Sequence, residues 1–163
     1  MKKDEKQLFR ETEARLHNYK DLSIQIKSIE LDIEEKEIEL MDYRGCGAIS
    51  YDERTGTTYS INKTVENEAI TREKKEKEIR DLLKEKRKKE LEKRKIENAL
   101  TSLDIIETDF FNLFYNSRNK HSMVYISRKM HTDRSYLYVL REKLVNKAIG
   151  ILYPDYSDLP LLK

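Results

Sequence analysis

The sequence has one cysteine, Cys46, with four glycines and two prolines in 163 residues. A single cysteine excludes an intrachain disulfide and fits a reducing compartment. So few glycines and prolines leave little to interrupt a helix. No run of about 18 apolar residues occurs, so no membrane span is expected. The start, MKKDEKQLFRETEARL, is charged but leads into no apolar h-region, which argues against a signal peptide and for a cytoplasmic protein. His17, His121 and His131 lack metal-ligand spacing, and one cysteine cannot complete a structural zinc set. No glycine-rich phosphate loop, nucleophile elbow or zincin motif is present. The expectation is therefore a protein that is not an enzyme and needs no cofactor or metal.

What is present is charge and helical periodicity. Charged residues make up 39% and hydrophobic residues 37%, too polar for one large core, so a mainly α protein with much solvated helix surface is expected. The length allows one domain plus an extension, or two small domains. Net charge is only +2, but the signs are segregated. Residues 1–43 hold 8 Lys/Arg against 12 Asp/Glu, whereas residues 118–147 hold 8 against 2. A local positive surface of this kind attracts phosphates.

The periodicity predicts one long helix over residues 4–43. Tyr19, Leu22, Ile26, Ile29, Ile33, Lys36, Leu40 and Tyr43 form a heptad seam with a polar slip at Lys36. Ile24, Leu31 and Ile38 form a second stripe at intervals of seven, which suggests contact with more than one neighbouring helix. Gly45 is placed to end the helix in a left-handed C′ conformation. Residues 45–63 break the period and read either as a β-hairpin, with AISYDE and TTYSI as arms, or as a loop. A second long helix, capped by Thr64, is expected from Val65 to about Ser102. Its middle is nearly all charge, with 13 Lys/Arg against 7 Asp/Glu over residues 71–95. This reads first as a solvated face and second as a DNA-backbone contact. The two long helices are expected to pair antiparallel within the chain or as a coiled coil between chains, making a homodimer. Domain boundaries are thus expected at 1–102, 103–150 and a tail at 151–163.

Residues 103–116, LDIIETDFFNLFYN, predict an amphipathic helix with Ile106, Phe110, Leu113 and Phe114 on one side and Phe111 and Tyr115 beside them. The stretch from Ser122 to Lys147 then reads as helix, short break, helix, the spacing of a helix-turn-helix. Ile126 and Met130 share a face of the first helix, with Val124 nearby. Thr132 or Asp133 can cap the second helix, in which Leu137, Leu140 and Leu144 form a buried stripe. The opposite face carries Ser135, Tyr138, Val139 and Glu142, flanked by Arg134 and Arg141. The candidate DNA-binding residues are Arg128, Lys129, Arg134, Ser135, Tyr136, Tyr138, Val139, Arg141 and Lys143. Arg134 or Arg141 could read guanine, and Val139 a thymine methyl. Gly150 is expected to stop this helix, and Leu159, Leu161 and Leu162 of the tail to cover a hydrophobic seam.

The segment from Leu103 to Lys147 resembles region 4 of sigma-70-type transcription factors. The whole chain resembles the phage-encoded sigma-like regulators of the ArpU/RinA type. The residues that carry the resemblance are the step Ser50-Tyr51-Asp52, FFNLFY at 110–115, ISRKM at 126–130 and DRSYLYVLREKLVNKA at 133–148. His131 stands where that family has a turn glycine, Ser127 where it has alanine, and Tyr136 where it has a small threonine. The resemblance implies a transcription activator of phage or prophage late genes acting in a bacterial host cell, with Arg134, Ser135, Tyr138 and Arg141 on DNA. It leaves contact with RNA polymerase open. The alternatives are a small terminase-like DNA-packaging subunit and a coiled-coil interaction protein.

Overall fold

The computed structural model describes residues 5–45 and 59–156, and all five longer elements are α-helices: α1 (Glu5–Gly45), α2 (Tyr59–Leu100), α3 (Ile105–Phe114), α4 (Met123–Met130) and α5 (Arg134–Leu152). A single 3-10 turn, Pro154–Tyr156, follows. Cys46, the Ser50-Tyr51-Asp52 step, most of the expected hairpin and the leucines of the tail lie outside the described residues.

Several boundaries differ from the expectation. α2 begins at Tyr59, so residues 59–61 are helical and cannot form the second hairpin arm, and Thr64 lies inside the helix. Residues 59–64 contain no glycine or proline, and extending an existing helix adds one hydrogen bond per residue fixed. Gly45 is the last residue of α1, not a residue beyond it. Gly150 likewise lies inside α5, which runs to Leu152, and Ile151, Leu152 and Tyr153 pack against the core. Apolar packing on both sides of Gly150 outweighs its weak helix propensity.

The chain divides into two compact units, Met1–Ile24 with Glu90–Lys163, and Gln25–Lys89. In the first unit the opening turns of α1 and the last turns of α2 share a core with α3, α4 and α5. Leu8, Leu16, Leu22, Ile96 and Ala99 are buried in one cluster with Phe110, Phe111, Tyr115, Ile126, Leu137, Leu140, Leu144 and Val145. Arg15 of α1 grips Glu92 of α2 through two hydrogen bonds of 2.5 Å and donates to the Tyr153 hydroxyl at 2.9 Å.

In the second unit, α1 and α2 pair antiparallel within the chain. Lys89 donates to Gln25 at 3.0 Å, while Lys86 meets Glu30 at 2.9 Å, Lys36 meets Glu78 at 3.3 Å and Lys75 meets Glu39 at 3.0 Å. Ile29 and Ile33 are buried in this seam. The polar slip at Lys36 is filled by an ion pair, and its hydrogen bond to Glu78 raises the Lys36 pKa. The second stripe finds no cover among the described residues, since Ile24, Leu31 and Ile38 are all exposed.

α3 is turned from the face its apolar residues suggested. Phe110, Phe111 and Tyr115 are buried, but Ile105 and Ile106 are exposed and Glu107 is wholly buried instead. Asp104 and Glu107 form a reciprocal capping box, with Glu107 N–H donating to Asp104 at 2.8 Å and Asp104 N–H donating to Glu107 at 2.9 Å. Lys147 donates to Glu107 Oε2 at 2.6 Å, and Lys143 lies 3.0 Å from Oε1. Burial alone would raise the Glu107 pKa, but these two cations and the Asp104 N–H more than offset it and leave it lowered.

Candidate nucleic-acid interface

The region around α4 and α5 is assembled from local signals. Ser122 caps α4, its hydroxyl accepting from Tyr125 N–H at 3.2 Å. α4 ends at His131, which is left-handed at φ 52°, ψ 43°. The N–H groups of His131 and Thr132 both donate to the Ser127 carbonyl, which satisfies an end that glycine usually closes. Thr132 donates its hydroxyl to the Met130 carbonyl at 3.0 Å. Asp133 is the N-cap of α5, but its side chain makes no capping hydrogen bond. Three residues, 131–133, therefore separate α4 from α5.

Ile126, Leu137, Leu140 and Leu144 are buried, as their spacing predicts, and Met130 is half-buried. Val124 is exposed. Of the candidate contact residues, Arg128 and Lys129 are exposed in the last turn of α4, and Arg134, Ser135, Tyr136, Tyr138 and Val139 are exposed in the first turns of α5. Arg118 and Lys120, in the segment before α4, are exposed as well. None of Arg118, Lys120, Arg128, Lys129 and Arg134 has an ion pair among the described residues. His121 stacks on Tyr125 with ring centroids 4.4 Å apart.

The two tyrosines diverge around α5. Tyr136 and Lys129 line an open cavity of about 540 Å³ with Ile106, Asp109 and Leu113 of α3. Tyr138 lines another of about 440 Å³ with Phe9 and Arg10 of α1 and with Glu142.

Arg141 and Lys143 are placed differently from the other candidates. Arg141 donates from Nε and Nη2 to the two oxygens of Glu13 at 2.5 and 2.6 Å, a bidentate fork. Its guanidinium also lies 5.9 Å from the Phe9 ring centroid. Tyr115 donates to the same carboxylate at 3.0 Å, and the His17 ring lies 4.6 Å from that of Tyr115. Hydrogen bonding to Glu13 raises the Arg141 pKa. Burial pushes Glu13 up, but Arg141 and Tyr115 bring it below the usual carboxylate range. Burial also lowers His17. Arg141 sits about 40° around the helix from Leu137 at roughly 100° per residue. It is therefore at the edge of the buried stripe, where α1 reaches it. Lys143 is half-exposed but pairs with Glu107 and, at 3.7 Å, with Asp104. The charges of both are neutralised inside the protein.

Glu13 and Glu107 are the residues that sequence reasoning missed. Both look like solvated acids on amphipathic helices, and their partners are remote in sequence. The one local signal was the Asp104-x-x-Glu107 spacing of a capping box. Among the described residues no group of three or more His, Cys, Asp or Glu side chains could hold a metal ion, and no helix is long and apolar enough to cross a membrane. No protein-family model matches the chain, and no curated protein or solved structure matches it either.

Proposed function

We propose that the first unit binds double-stranded DNA as a helix-turn-helix, with the start of α5 in the major groove, and that the chain acts as a transcription activator of the kind its C-terminal motif resembles. The observation that carries this reading is the cation set Arg128, Lys129 and Arg134 on either side of the 131–133 turn, exposed and without an ion pair among the described residues. Arg118 and Lys120, in the segment before α4, are likewise exposed and without an ion pair among the described residues. Such cations hold phosphates and fix orientation, while exposed Ser135, Tyr138 and Val139 are free to meet base edges. Arg141 and Lys143 are left out of the contact set, because each already holds a carboxylate.

The test is a mobility-shift series over salt concentration on DNA from the gene's own neighbourhood. A discrete complex that survives competitor DNA is expected. Arg128→Ala with Arg134→Ala should weaken it and reduce the salt slope by about two, roughly one for each lost phosphate contact. Unchanged affinity and slope in a variant of native helicity would rule the assignment out.

A further inference from the structure

The second unit presents two opposite surfaces that the described residues leave unmatched. With Ile29 and Ile33 turned to α2, the outward face of α1 carries Lys27, Leu31, Glu34, Glu35, Ile38 and Met41. Leu31, Ile38 and Met41 are 63%, 62% and 64% exposed. Glu34 and Glu35 flank them and have no ion pair among the described residues. An apolar line at the position furthest from the seam is not what a solvated helix needs.

The outward face of α2 is its electrostatic complement. Lys77, Arg80, Lys84 and Arg87 follow one another at three- and four-residue steps, with Lys88 four residues on from Lys84, all exposed. Lys84 is held by Asp81 at 2.9 Å, but Lys77, Arg80, Arg87 and Lys88 have no ion pair among the described residues. Of the acids of α2 in this unit, Glu78 pairs with Lys36, Glu76 with Arg72 and Glu85 with Lys89. Glu68 and Glu73 are exposed and have no ion pair among the described residues, so the cations of this face outnumber its free acids. The two faces also match in length, about 21 Å for Lys27–Met41 and about 17 Å for Lys77–Lys88 at roughly 1.5 Å per residue.

We infer that the outward face of α1 in this unit docks on the outward face of α2 in a second copy of the chain. Arginine and lysine stems lie over Leu31, Ile38 and Met41 while their heads reach Glu34 and Glu35, so one contact covers the apolar line and pairs the charges. Because the two faces point away from each other, the contact is heterologous, and each added copy presents a fresh face. The inference does not rest on the DNA-binding reading, since none of these residues belongs to the proposed DNA surface.

Sedimentation velocity of the full chain, across protein and salt concentration, tests it. The wild type should exceed monomer mass at micromolar concentration and fall back as salt rises. Glu34→Lys with Glu35→Lys, and separately Arg87→Glu with Lys88→Glu, should each raise the dissociation constant at least about tenfold, with circular dichroism unchanged. An equimolar mixture of the two variants should reassemble, because each reversed face then meets its opposite. A wild-type monomer at all concentrations would overturn the inference, as would a mixture that stays monomeric. Loss of DNA affinity in the α2 variant without any change of mass would overturn it too, and would assign that face to nucleic acid.

Discussion

Arg141 shows how one side chain can change role between a helical wheel and a folded protein. Its fork is occupied by Glu13, which is itself braced by Tyr115. Arg141→Ala should therefore reduce stability by about 1–3 kcal/mol in urea unfolding, a range discounted for the pair's partial exposure. Arg141→Lys should recover only part of this, because an ammonium cannot span both oxygens. The same cluster sets an acid limit. Glu13, Glu107 and His17 all have folded-state pKa values below their ordinary ones. In each case the unfolded chain takes up the proton first, so stability is complete above the ordinary value and is lost as pH falls. Urea midpoints should start to drop near pH 6.5, the ordinary value for His17, and drop more steeply below the ordinary Glu value of 4.5. His17→Gln should remove the upper part of that decline while leaving the lower part.

At the scale of elements, local chemistry accounts for the helix ends in the first unit and marks where they are not optimal. His131 holds a left-handed conformation that disfavours any residue with a Cβ, and Gly150 occupies a helix interior where an added Cβ would meet nothing within 4 Å. His131→Gly should stabilise the chain by about 1 kcal/mol, and Gly150→Ala by about 0.5–1 kcal/mol, both read as a rise in melting temperature. The stripe in α5 was legible because leucines at three- and four-residue spacing have one way to face a core. The face of α3 was not, because Glu107 is buried by a capping box and two lysines that lie far along the chain. Periodicity counts a glutamate as outward and placed Ile106 inward, and here Glu107 is buried and Ile106 is exposed.

At the scale of the molecule, the long helices are shared between two units. Their ends complete the core around α3, α4 and α5, and their middles form a thin seam of isoleucines and ion pairs. The inferred contact between copies uses the outward faces of those middles, so assembly and DNA binding can be tested on separate residues. The size of the assembly also bears on function. A ring of eight or more chains, which a heterologous contact can build, would favour a DNA-packaging subunit, whereas a monomer or dimer would favour the transcription activator and limit that contact to a single pair of copies.

The sequence alone determined the helical class, the two long helices, the buried stripe of α5 and the turn at His131, because each depends on residues within a few positions of one another. The tertiary structure decided where the units divide, which face of α3 is buried and which arginines stay free. Those outcomes depend on pairs such as Glu13 with Arg141, 128 residues apart, and Arg15 with Glu92, 77 apart. A carboxylate and a guanidinium read alike on any solvated helix. Only the fold brings two of them together and removes them from the surface.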